Sequence, residues 1–150
     1  MISPTSLSVR PYKKADRATV LALVGNKGVI DTPTNKILVL DDGAGCVVWS
    51  EVSPFGSDLP GLGGWSLSDI ARLDLRDKLL LAVCDAAMAA GHKRGHSIVT
   101  SQKVLDRMKA IFIIDKVTPV GRNVKTGKPG YWEIEFDLAE NRAILLERLK

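Results

Sequence analysis

The stretch Leu79–Val99, LLLAVCDAAMAAGHKRGHSIV, decides how the rest of the chain is read. Leu79, Leu80, Val83, Ala86, Ala87 and Ala90 recur at helical spacing, which predicts a helix from about Leu75 to Ala90 with one apolar stripe. Gly91 supplies the stop, because glycine enters the left-handed backbone region without a steric penalty. The basic run His92-Lys93-Arg94 then leads to a strand at Ser97 to Thr100.

Moving toward the N-terminus, strands are expected at Ile37 to Leu40 and Cys46 to Val52, joined by Asp41-Asp42-Gly43-Ala44-Gly45. That linker is good hairpin chemistry, since Gly and Asp tolerate positive φ. A long loop, SPFGSDLPGLGG, follows; its glycines and two prolines argue against regular structure, and loops of this length are often functional. A fourth strand is expected from Trp65 to Leu73. Before these, Leu7 to Arg10 reads as a strand ending at Pro11. Asp16 stands as a cap ahead of an amphipathic helix carrying Ala18, Val20, Leu21, Leu23 and Val24. Gly25, Asn26 and Gly28 close that helix, and the segment through Asp31, Thr32, Pro33 and Asn35 reads as a loop.

Toward the C-terminus, a helix over Lys103 to Ile114 shows Leu105, Met108, Ile111 and Phe112 on its apolar face. Two strands flank the turn Gly127-Lys128-Pro129-Gly130, the second at Tyr131 to Leu138, and a charged helix at Glu140 to Leu149 ends the chain. The order is β-α-β-β-β-α-β-α-β-β plus a tail helix. No repeat or linker is visible, so residues 1–150 are expected to form one domain.

Composition narrows the class. Hydrophobic residues make up 45% and charged residues 25%, the balance of a soluble globular protein. The longest apolar run, Leu79 to Ala90, is broken by Asp85 and too short to span a bilayer, and the start MISPTSLSVRPYKK lacks the apolar core of a signal peptide. Cytoplasmic residence is the expectation. Cys46 and Cys84 sit in apolar patterns outside any CxxC or Cys/His cluster, so buried thiols are expected and a metal site is not. The net charge of +4 suits an anionic partner, a phosphorylated cofactor or nucleic acid, and equally a solvated basic surface. No basic run interleaved with aromatics marks a nucleic-acid site.

Three segments together resemble the GNAT superfamily of acyl-CoA N-acyltransferases. VRPYKKADRATVLALV is similar to the family's opening strand, Arg-Pro and first helix capped by Asp. LLLAVCDAAMAAGHKRGHSIV is similar to its central helix, glycine stop and following strand. VTPVGRNVKTGKPGYWEIEFDL is similar to its closing hairpin. The resemblance covers nearly the whole chain. It implies an α+β fold with a mixed, mostly antiparallel sheet and helices on both faces. It also implies a cleft where the fourth and fifth strands splay, and acetyl-CoA as cofactor.

In that family, backbone N–H groups of an R/Q-x-x-G-x-G/A loop hold the cofactor pyrophosphate at the start of the central helix, where unpaired amides and the helix dipole favour an anion. The matching segment is Arg72-Leu73-Asp74-Leu75-Arg76-Asp77, with Leu80-Leu81 as the family's paired leucines. Arg72 fits, whereas Leu75 and Asp77 stand where the family has small residues, and Asp74 and Asp77 add negative charge. Arg72, Leu73, Leu75, Arg76, Asp77 and Lys78 are therefore the implied cofactor-binding set, and a plain capped helix is the alternative for the same residues.

By the same resemblance a carboxylate near the third or fourth strand serves as general base, for which Glu51 and Asp69 are the candidates and Asp58 a third. The family's thiolate-protonating tyrosine falls on Phe112, which has no proton to give and is expected in the core; Tyr131 or Ser101 are possible substitutes. His92 and His96 are expected at the surface, and Trp49, Trp65 and Trp132 in sheet packing.

The implied activity is transfer of an acetyl group to a small-molecule or protein amine, by a monomer or homodimer. A GNAT-fold binding or structural module without catalysis, and a basic nucleic-acid-binding domain, are the other readings.

Overall fold

Two adjacent strands whose side chains alternate between two apolar layers set the architecture. The computed structural model describes residues 8–41, 45–50, 61–66 and 73–150. The elements run β1 (Val9–Pro11), a 3-10 turn (Lys14–Asp16), α1 (Arg17–Val24), α2 (Lys27–Asp31), β2 (Asn35–Leu40), β3 (Gly45–Ser50), β4 (Gly61–Ser66), α3 (Leu73–Ala89), β5 (Arg94–Val99), α4 (Gln102–Ile111), β6 (Lys116–Val120), β7 (Tyr131–Asp137) and α5 (Leu138–Arg148). The strands form a sheet in the order β1-β2-β3-β4-β5-β7-β6. Its neighbours are antiparallel apart from β4 and β5, which are parallel.

All of β3 is buried, and the two-residue period of a strand sends its side chains to opposite layers. Cys46 and Val48 join Val20, Ile37 and Val39 in a cluster covered by Leu23 and Val24 of α1 and Val29 and Ile30 of α2. Val47 and Trp49 join Leu40 in a second cluster with Leu79, Val83, Cys84 and Ala87 of α3 and Leu138 and Leu145 of α5. Helices thus cover both faces, and the α+β architecture is the expected one. Each cysteine is fully buried, one in each layer with the sheet between them. Among the described residues no helix is long and apolar enough to cross a membrane.

Several local expectations need correction. Residues Lys27–Asp31, read as part of a loop, form the short α2, which Asn26 caps by accepting from the Gly28 N–H at 2.9 Å. Asp16 does not cap α1 with its side chain. Its carboxylate instead binds the Arg10 guanidinium in two hydrogen bonds (2.7 and 2.8 Å) and accepts from the Lys13 N–H. A charge-assisted bidentate pair outcompetes a single capping bond.

The fourth strand is Gly61–Ser66 and not Trp65–Leu73, and Leu73 already belongs to α3. The glycines once assigned to a loop are tolerated there because β3 pairs with them residue by residue, from Ser50↔Gly61 to Gly45↔Ser66. β5 begins at Arg94, three residues earlier than expected, which brings His96 into the sheet.

One buried polar side chain ties the α4–β6 connection to the junction of β7 and α5. Asn141, fully enclosed in α5, accepts from the Ile113 N–H at 2.7 Å and donates to the carbonyls of Ile113 (3.0 Å) and Asp137 (2.8 Å). The chain between α4 and β6 is pinned by these bonds, since it has no ladder of its own there. Phe112, next to it, is buried edge-on against Phe136 with ring centroids 5.0 Å apart, as a core residue should be.

Candidate functional site

Backbone pairing locates the site. β4 and β5 are registered at one pair, Gly61↔His96, at the first residue of β4. Beyond it, the described residues of β4 pair with β3, and Ser97 to Val99 pair with β7. The two strands therefore part toward their C-terminal ends, leaving facing edges whose N–H and C=O groups have no ladder across the gap. Glycine in a strand commonly marks a place where another backbone or a ligand comes close.

The chain returns from β4 into α3, so the helix starts at the open end of this split. Its first amides have no intrahelical acceptor, and its dipole makes that end electropositive. Arg76 and Lys78 are half-buried in its first turns. Lys78 is close enough to Asp41 to help hold that carboxyl below its ordinary range, after the hydrogen bonds from Ser8 and the pull of Arg10.

Asp77 is oriented differently from the repulsive position expected of it. It is buried, and its Oδ1 lies 3.4 Å from Nη1 of Arg148 in α5. Its charge is met by a cation from the helix packed beside α3, so the carboxylate adds little repulsion to an anion at the helix start. Leu73 and Leu75 lie in the helix by their backbone. Glu51, Asp58, Asp69 and Arg72 fall outside the described residues.

His96 is the residue that sequence reasoning misplaced. It is 3% exposed, not at the surface, and stands where β4 and β5 diverge. Register places it in a row crossing the sheet: Lys116↔Glu135↔His96↔Gly61↔Ser50↔Asn35. Val99, Ile134 and Phe136 point into the α3/α5 layer, so alternation turns His96 and Glu135 to the opposite face. Glu135 is held by Lys116, with Nζ 3.2 Å from Oε2. An imidazole and a carboxylate are thus cross-strand neighbours, a spacing of about 5 Å between Cβ atoms, at the closed end of the split. The signal was the start of β5: a strand beginning at Arg94 puts His96 inside it.

His92, half-buried, sits edge-on to Trp49 with ring centroids 6.2 Å apart, at the opposite end of α3 from the split. Ser101 caps α4, its Oγ accepting from the Val104 N–H. Trp49 is core and Trp132 packs against it, as expected. No group of three metal-ligating side chains exists among the described residues.

With this geometry in view, solved structures give a consistent comparison. An N-acetyltransferase from Staphylococcus aureus superposes with a TM-score of 0.63 at 16% identity, covering 88% of this chain and 98% of that one. An acetyltransferase from Bacillus subtilis in complex with CoA gives 0.60 at 13%, covering 87% and 98%. A spermidine N-acetyltransferase variant from Vibrio cholerae gives 0.60 at 11%, covering 96% and 98%. No protein-family model and no curated protein matches the sequence. The chain has the fold of the GNAT N-acyltransferases.

Proposed function

We propose that a chain with this fold is an acyl-CoA-dependent N-acetyltransferase that passes an acetyl group to an amine. The observation that carries the reading is the parting of β4 and β5 beyond Gly61↔His96, with the start of α3 at the open end. An extended thioester with an anionic head fits such a slot: unpaired strand edges offer hydrogen bonds along its length, and helix amides with Arg76 and Lys78 face its charge. The CoA held by the Bacillus subtilis neighbour supports that assignment. In this reading Arg72, Leu73, Leu75 and Asp77 complete the segment around the phosphates, with Asp77 neutralised by Arg148.

Acetyl-CoA supplies the activated acyl group. The protein's own task is to make the amine neutral and keep it in line. We assign the proton-accepting role to His96 supported by Glu135, because an imidazole nitrogen can accept the amine proton and the cross-strand carboxylate can balance the resulting charge. Glu51 and Asp69 are the other proposed bases. For the leaving thiolate, Phe112 offers no proton and Ser101 is occupied as a cap. Tyr131, at the start of β7, lies four residues along the strand from Glu135, about 13 Å from the proposed base, and does not share its end of the split.

The experiment is a thermal shift with acetyl-CoA. At about 100 times the dissociation constant, binding adds about 2.7 kcal/mol, a rise of a few degrees. No shift at millimolar cofactor would sink the enzyme reading and favour a non-catalytic module, the second reading suggested by Leu75 and Asp77 in place of small residues.

A further inference from the structure

One short segment of the chain carries cations without acids. Residues 116–132 hold four Lys or Arg (Lys116, Arg122, Lys125, Lys128) and no Asp or Glu. The other 133 residues hold 21 − 4 = 17 Lys or Arg against 17 Asp or Glu. Residues 116–132 thus carry +4 while the rest of the chain balances, and Glu133, Glu135 and Asp137, which follow in β7, bring the hairpin from Lys116 to Asp137 to +1. Lys116 is paired with Glu135, and the remaining three cations lie on the connection between the strands.

That connection is built and not merely extended. The Asn123 N–H donates to the Lys128 carbonyl at 2.8 Å, and the Gly127 N–H to the Asn123 carbonyl at 2.8 Å. Asn123 Oδ1 accepts from the N–H groups of Lys125 and Thr126, and Gly121 and Gly127 take the positive φ that these turns require. Arg122, Lys125 and Lys128 are exposed, and none has an ion pair among the described residues. Three exposed cations on one ordered tip repel one another and attract an anion.

The position of the tip connects it to the site. β5 ends at Val99, opposite Trp132, and the tip joins Val120 to Tyr131 at that same end of the sheet. β4 is parallel to β5, so this is also the end toward which the split opens and from which α3 starts. The approach to the split is thus flanked on the β5 side by a fixed positive charge that repels a polyamine and attracts a carboxylate or phosphate.

We infer that the acceptor amine is carried by an anionic molecule, an acidic peptide N-terminus in the simplest form, which the hairpin tip draws to the open end of the split. This rests on the acyl-transfer reading. It sets the chain apart from the spermidine N-acetyltransferase whose fold it shares.

The test compares three acceptors with saturating acetyl-CoA: a peptide with a free glycine N-terminus followed by glutamates, the same peptide with lysines, and spermidine. The acidic peptide is expected to show a kcat/KM at least about 10-fold above the other two. The advantage should fall as ionic strength rises from about 0.02 M to about 0.3 M, where the screening length shrinks from about 20 Å to about 6 Å. The variant R122E/K125E/K128E should reverse the preference while its circular dichroism and its thermal shift with acetyl-CoA stay as in the parent. Equal or better use of spermidine, or an unchanged preference in the variant, overturns the inference and leaves acyl transfer standing.

Binding of the acidic peptide alone, by titration calorimetry, decides the matter if no acceptor is turned over. Salt-sensitive binding abolished in the variant sustains the anion site while the enzyme reading fails. No peptide binding, or tip-dependent binding of duplex DNA without peptide binding, overturns it.

Discussion

Arg148, at the end of α5, and Asp77, in the second turn of α3, form a cross-helix pair with Nη1 3.4 Å from Oδ1. The same guanidinium donates through Nη2 to the carbonyl of Ile111, the last residue of α4. One side chain therefore fixes the start of the central helix, the end of α4 and the tail helix relative to one another. The amides at the start of α3 are proposed to receive the cofactor, so this tie also sets their position.

Replacing Arg148 by Ala removes the cation beside a buried carboxylate and a donor to the Ile111 carbonyl. We expect a loss of about 1–3 kcal/mol in urea unfolding, together with weaker acetyl-CoA binding in the thermal-shift assay. A change within about 0.5 kcal/mol, the range of an ordinary surface substitution, would show that the tie is not structural.

Asn141→Ala removes three hydrogen bonds from a fully buried site and leaves both backbone groups of Ile113 without their side-chain partner. The expected cost is about 2–4 kcal/mol. Hydrogen exchange at the Ile113 amide should accelerate well before global unfolding does.

His96→Gln keeps a polar side chain in the row but removes the imidazole. For a base at this position, kcat should fall about 10²–10⁴-fold while the acetyl-CoA thermal shift persists. An unaltered kcat would return the role to Glu51 or Asp69, each testable in the same way.

Asp16 makes stability sensitive to acid. The hydrogen bonds from Arg10, then that from the Lys13 N–H, lower its carboxyl from 3.8 to about 2. A folded value below the unfolded one means that the contribution is complete above the unfolded value. It is lost as pH falls from about 4 through about 2. Asp16→Asn should flatten the unfolding midpoint across that interval and leave its shape near neutrality unchanged.

The two thiols should be inert. Burial pushes Cys46 up to about 11 and Cys84 to about 12, so at about pH 8 neither carries appreciable thiolate. Labelling by a thiol-specific reagent is expected in urea and not in buffer. The sheet lies between the two residues, so no disulfide should form between them in the native protein.

Much of the fold was legible in the residues because helix and strand periods are local. The stripe of Leu79, Val83 and Ala87 announced α3, Gly91 its end, and the alternation of Tyr131 to Asp137 the last strand. Helices on both faces of the sheet followed from the resemblance to the GNAT superfamily, and the two core layers bear this out. β4 escaped because Gly-Leu-Gly-Gly-Trp-Ser has weak strand propensity, and what makes it a strand is its partner β3, eleven to twenty-one residues away along each registered pair.

Other features depended on elements meeting in three dimensions. Asp77 meets the guanidinium of Arg148, 71 residues later. His96 becomes part of a polar row through its register with Gly61 and Glu135. Local sequence determined which segments coil and which extend, since those preferences act over a few neighbouring residues. The parting of β4 and β5 was decided by how a parallel pair and its crossover helix pack, which no single segment encodes.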